Sequence, residues 1–256
     1  MFGRIVRVLP FILIVYLSLP VISAFMAVKS ISAIGREEVF AAFAVSISSA
    51  TLTTTISAIF GIPLAYKLAR NPGRVAQIAE AIVISPVVLP PLVTGLFLLS
   101  VLSPAGFIGR VAENAGIEIT RTFLAVVLAQ LAVASPFTVI SAKAAFEEID
   151  PKLEFASRLM GAGNLRTFLR VSLPLAKRGI IAGLLMTFVR SVGEFGATFM
   201  LAYFPKTLPV YLYTSYLRGG VEEAAPVALL LLLIGLLVFA VLRAVGDGFA
   251  GTERSK

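Results

Sequence analysis

Arg190 and Glu194 lie four residues apart in RSVGEFGATFM, residues 190–200, inside a long apolar run. Four residues is about one helical turn, so the two side chains share a face and can pair. One charge at the centre of a membrane helix costs about 2.5 to 3.5 kcal/mol, and two unpaired ones would weaken such a helix considerably. Two arrangements fit the spacing. One is a local ion pair turned into a helix bundle. The other is a gate or helix contact at Glu194, where Gly193 and Gly196 let the backbone move. Like charge opposes direct capture of an anion by Glu194. A titrating Glu194 in an ion-coupled secondary carrier is the alternative chemistry.

A second polar set consists of hydroxyls. Ser46, Ser49, Thr53 and Ser57 follow three- and four-residue spacing and form a stripe on one helix. Such groups bond their own helix or a neighbouring one, or they line a polar wall of a path through the membrane. Ser85-Pro86 with Pro90, and Ser135-Pro136, place prolines inside apolar segments. Each proline removes a helical hydrogen bond, giving either a plain kink or a gate.

Other chemistry is excluded by what is missing. The chain has no histidine and no cysteine, so the commonest general base, the commonest metal ligand and all thiol chemistry are absent. No metal site and no catalytic residue set is expected. There is no G-x-x-x-x-G-K-[ST], and GAGNLRT at 161–167 does not begin a phosphate loop. The chain is expected to bind no cofactor of its own.

The elements that carry these residues are membrane helices. Of 256 residues, 58% are hydrophobic and 14% charged, with a mean hydropathy of +0.96, far from a soluble domain. Apolar runs predict an all-α integral membrane protein with spans near 8–28, 39–66, 78–102, 122–145, 178–204 and 224–245. The whole of 1–256 then forms one transmembrane domain. The first run is too long for a signal-peptide core and lacks a clear cleavage site.

The net charge of +8 is explained by position. Lys29, Arg36, Arg110, Arg121, Lys206 and Arg218 fall in the loops on one side, fifteen basic residues fall on the other, and Arg190 lies between. The bias places both termini in the cytoplasm. Nucleic acid is not needed to explain the basic excess.

The one long cytoplasmic loop, about 147–177, predicts two short helices. Asp150 caps the first, Pro151 opens it, Glu154 complements its dipole, and Leu153, Ala156, Ser157 and Met160 form a small apolar face. Gly161 and Gly163 end it, Asn164 caps the second, and Pro174 separates that helix from the next span. From these features alone the loop fits either a helix lying on the bilayer or one docking to a partner.

Ala156 and Ser157, three residues, Gly161, nine residues, then Val171, Leu173 and Pro174 resemble the E-A-A-x3-G-x9-I-x-L-P signature of ABC importer permeases. Phe155 stands where that signature often has Glu, and Glu154 is one position early. RSVGEFGATFM followed by LPVYLYT at 208–214 is similar to the fifth-span region of molybdate and tungstate permeases, with sulfate permeases close behind.

The resemblance implies a six-transmembrane-helix ABC importer permease bundle in the cell membrane, whose coupling helix docks on an ATPase. It implies a second copy of the chain, two cytoplasmic ATPase subunits that bind ATP and Mg, and an external oxyanion-binding protein. It also implies that spans three to five line the path, with an outer gate near Ser85–Pro91, Ser135–Thr138 and Glu194–Thr198.

Overall fold

The computed structural model describes residues 2–28 and 37–250, and the described residues form helices without a strand. Lys29, Arg36, Arg254 and Lys256, used in the charge count, lie outside the described residues. Among the described residues five helical segments are long and apolar enough to cross a membrane, and the number is six if one bent pair counts as a single span.

The first span, α1 (Phe2–Ala27), packs chiefly along the last helix and buries none of its apolar window. A helix apolar all round and uncovered by protein needs lipid around it. The second runs unbroken from Glu37 to Arg70 as α2 (Glu37–Ile56), a π-helical turn at Ser57–Gly61, and α3 (Ile62–Arg70).

The expected single helix at 78–102 is broken. Helices α4 (Arg74–Val88) and α5 (Pro91–Leu102) meet at 114°. Pro90 and Pro91 cause the break, because each pushes its predecessor into extended backbone: Leu89 has ψ 142° and Pro90 ψ 132°.

After the short α6 (Phe107–Asn114), α7 (Phe123–Glu147) forms the central span. Thr122 caps it by accepting the Ala125 N–H at 3.2 Å. In the loop, α8 (Pro151–Leu159) follows Asp150, whose carboxylate accepts the Lys152 N–H at 2.9 Å.

Two loop expectations need correction. Gly163, not Asn164, occupies the cap position of α9 (Asn164–Thr167). Pro174 also separates nothing: α9, a π turn at Phe168–Ser172 and α10 (Leu173–Val192) form one span from Asn164 to Val192. Pro174 is tolerated because it directly follows the π turn, where the helical hydrogen-bond ladder is already irregular.

That span also stops earlier than the expected residue 204. Gly193–Phe195 interrupt it, and α11 (Gly196–Leu201) follows. The last element, α12 (Leu208–Ala250), leaves helical geometry at Gly219 and Gly220, where Gly220 takes φ 67°, so that a first helix from Leu208 precedes the one that carries the expected 224–245 span.

Helix α7 is the hub, and its most extensive contact is with α10. Gly179 and Gly183, spaced as G-x-x-x-G, make this possible. A Cβ on Gly179 would stand 2.5 Å from the Ala145 Cβ, and one on Gly183 2.8 Å from the Ser141 Cβ. Around Phe146, fully buried, a core of Leu68, Val139, Ile149 and Ile180 gathers at the loop end of the bundle. Lys143 ties α4 to this hub by pairing with Glu80 at 3.1 Å and with Glu147 at 2.8 Å.

Candidate functional site

Two polar assemblies stand out, one at the interrupted end of α10 and one beneath α8. At the first, Arg190 Nη1 lies 2.6 Å from Glu194 Oε2, which has no other polar partner among the described residues. Glu194 Oε1 accepts the Ala197 N–H at 2.7 Å, so the same carboxylate caps α11. Glu194 is 1% exposed and Arg190 29%. The ion pair therefore bridges the interruption at Gly193, joining the last turn of one helix to the first turn of the next.

The expected hydroxyl stripe faces protein. Ser46 accepts the Leu208 N–H at 2.8 Å. Thr53 donates to Gln130 Oε1 at 3.1 Å, while Gln130 Nε2 donates to Ser49 Oγ at 3.0 Å and to the Ser191 carbonyl at 3.1 Å. Ser49 and Thr53 are thus placed in a knot of α2, α7 and α10 rather than on an open wall. Fully buried Gln130 was missed in sequence. The signal was there: a lone carboxamide in the middle of a 25-residue apolar span must find partners. About two turns further along α7, Thr138 shares a hydrogen bond of 2.7 Å with Thr187, and Thr187 donates to the Ala134 carbonyl.

The proline-containing segments meet only in part. Pro86, Ser135 and Pro136 line a cavity of about 300 Å³ with Ser57 of the π turn. Ser85 bonds its own helix, at the Ile82 carbonyl, and is exposed. Pro90 forms the α4–α5 break itself. Thr198 is fully buried in α11, its hydroxyl without a hydrogen-bond partner among the described residues.

At the second assembly, Glu154 points into the molecule. It is 2% exposed and accepts from Arg70 Nε at 3.0 Å, Tyr66 Oη at 3.1 Å and Ser172 Oγ at 2.8 Å. Burial penalises the charge, and the hydrogen bonds from Arg70, Ser172 and Tyr66 outweigh it, holding the carboxyl below its ordinary range. Tyr66, Arg70 and Ser172 had no marker in sequence, because they sit on segments far from Glu154 along the chain.

Ser157, one turn on, is also buried and bonds Thr167 at 3.2 Å. The expected face of Leu153, Ala156, Ser157 and Met160 is therefore divided: Ser157 joins Glu154 inside, and the other three are exposed. Outward stand Leu153 and Phe155, half exposed or more, with Leu159 and Met160 at 72% and 84%. Gly161 has φ 86°, its N–H bonds the Arg158 carbonyl, and the Ala162 N–H bonds that of Ser157. This is the Schellman closure that favours glycine. Val171 and Leu173 are partly buried, and Pro174 is exposed.

Residues 57–251 match the family described as binding-protein-dependent transport system inner membrane component. The chain belongs to that family. The permease is 44% identical over 234 residues to a probable molybdenum ABC transporter permease protein of Haloferax volcanii, covering 90% of this chain and 85% of that one. It is 36% identical to the molybdate/tungstate transport system permease protein WtpB of Pyrococcus abyssi, with 90% of each chain covered. With the molybdenum transport system permease protein ModB of Mycobacterium tuberculosis it shares 37% identity, over 78% of this chain and 76% of that one.

Among solved structures, a bacterial alginate ABC transporter in complex with an alginate pentasaccharide-bound periplasmic protein superposes on the permease with a TM-score of 0.74. That match is at 17% identity and covers 94% and 92% of the two chains. An inward-facing MetNI methionine ABC transporter gives a TM-score of 0.58 at 20% identity, covering 78% and 93%. At these identities the likeness is one of fold. The permease is a multi-pass membrane subunit of the ABC importer type.

Proposed function

We propose that this permease carries molybdate or tungstate into the cell. The observation that carries the proposal is the set of relatives named for these oxyanions, which match along up to 90% of the chain. Two copies form the conduit, two cytoplasmic ATPase subunits hold ATP and Mg, and an external binding protein delivers the anion. Both termini lie in the cytoplasm, in keeping with the asymmetry of basic residues.

The α8 loop docks on the ATPase through Leu153, Phe155, Leu159 and Met160. Its exposed apolar side chains support this role, since a surface loop gains nothing by leaving four of them uncovered. Closure of the ATPase pair moves the loop, and the spans switch their opening from one face of the membrane to the other. The interruption at Gly193, braced by Arg190 and Glu194, serves as the outer gate with Thr198. Ser85–Pro91 and Ser135–Thr138 form its other walls.

The test is ATP-driven uptake of labelled molybdate in proteoliposomes holding this chain with its ATPase and binding protein, competed by tungstate and by sulfate. Uptake blocked by tungstate, insensitive to sulfate and abolished by Gly161→Arg together with ATPase association is the expected result. Competition by sulfate alone would reassign the cargo. Uptake by the chain alone along an ion gradient, lost in Glu194→Gln, would replace the importer by a secondary carrier.

A further inference from the structure

We infer that Glu154 is a positioning residue: it clamps the α8 loop to spans two and five, so that the loop, the end of α3 and the start of α10 move as one rigid block. The inference rests on the importer reading and adds the device by which force applied to α8 reaches the spans.

Helix α8 has nine residues, too few to hold its shape without tertiary anchors. Its anchor is a single buried carboxylate gripped from two other elements. Tyr66 and Arg70 come from α3, and Ser172 is the last residue of the π turn that opens into α10. Arg70 also donates to the Ile149 carbonyl at 3.3 Å, which fixes the entry to the loop.

Packing reinforces the grip. The rings of Tyr66, Phe146 and Phe168 form a closed cluster with centroids 4.9 to 6.1 Å apart, which joins α3, α7 and the π turn beside the carboxylate. Ser157 and Thr167 add a bond between α8 and α9. The apolar side chains that a partner would press lie on the opposite, exposed face of α8. Force enters on one face and leaves through the other.

One π turn lies just beyond this block and the other lies within it. Ser57–Gly61 precede Tyr66 on span two, and Phe168–Ser172 carry Ser172 itself on span five. Irregular turns of this kind loosen the helical ladder and localise bending. On span two, Ser57–Gly61 separate the Glu154 clamp from the Gln130 knot at Ser49 and Thr53. A rigid block at one end and a pinned junction in the middle leave that turn as the place to flex.

The experiment uses the full transporter in proteoliposomes and counts molybdate taken up per ATP hydrolysed. Glu154→Ala and Ser172→Ala should keep ATPase association and ATP turnover while uptake per ATP falls, by roughly 2- to 30-fold for a residue that carries coupling. Glu154→Gln should fall less, since it keeps partners for Tyr66 and Ser172.

The cysteine-free chain also allows spin labels at Asn71→Cys and Lys152→Cys. With Glu154 present, the distance between them should be narrow and identical in nucleotide-free and ATP-bound transporter; Glu154→Ala should broaden it. A native distance that changes with nucleotide, or native uptake per ATP in Glu154→Ala, overturns the clamp. Absence of ATP-driven molybdate uptake by the unmodified transporter instead overturns the importer reading, and the label distances still decide the clamp.

Discussion

A Cβ placed on Gly95 of α5 would lie 2.6 Å from the Ala197 Cα of α11 and 2.9 Å from its carbonyl oxygen. Backbone meets backbone here, with no flexible side chain to give way. The contact locks the helix after the α4–α5 break to the helix after the α10 interruption. Gly95→Ala should push the two apart at an overpacking cost of about 1 to 3 kcal/mol. The expected outcome is a lower melting temperature in detergent together with reduced uptake. Unchanged values of both would show that the contact yields.

Removing one partner of the Arg190–Glu194 pair should cost more than removing both. Arg190→Met leaves a carboxylate that is 1% exposed without its counter-charge, a loss on the order of 3 to 5 kcal/mol for a buried pair broken on one side. Glu194→Gln keeps an acceptor for the Ala197 N–H and strands only the better exposed Arg190, so it should be milder. The double variant should recover part of the loss, read as folded yield and melting temperature for the three proteins.

Gln130→Leu strips three hydrogen bonds from the junction of α2, α7 and α10. At about 0.6 kcal/mol each for bonds between membrane helices, the loss should approach 2 kcal/mol. Adding Ser49→Ala and Thr53→Val removes the stranded hydroxyls and should restore part of it in a thermal-stability cycle. Strict additivity would mean that the three side chains do not act as a unit.

Gly161 has open space where its Cβ would be, so only its φ of 86° restricts it. Gly161→Ala should cost about 1 to 2 kcal/mol from the left-handed backbone, and Gly161→Asn less, because Asn tolerates that region. Proteolysis rates of the 147–177 loop should rank native, Asn, Ala.

The lowered pKa of Glu154 has a defined sign. A carboxyl that titrates in the folded state below its unfolded value, about 4.3, adds stability above that value and loses it as pH falls through the folded pKa. Amide exchange protection in α8 should therefore hold from pH 7 to about pH 5, after correction for intrinsic exchange rates, and drop only below the ordinary carboxylate range. In Glu154→Gln the same protection should be lower and flat over that range.

The membrane class, the all-helical architecture, the capping Asp150, the closing Gly161 and the Arg190–Glu194 pair were all legible in the sequence. Each depends on neighbours within a turn or two, or on composition summed along a span, and local physics is written locally. The tertiary structure decided the rest. It bent the third span at Pro90, carried the fifth through Pro174 and stopped it at Gly193. It turned Glu154 inward onto Tyr66, Arg70 and Ser172, and it tied the Ser49–Thr53 stripe to Gln130. Those partners lie up to 88 residues apart along the chain, and a buried polar group takes whichever donor or acceptor packing brings within reach. Spacing along one helix shows which face a side chain occupies; only the neighbouring helices determine what that face meets.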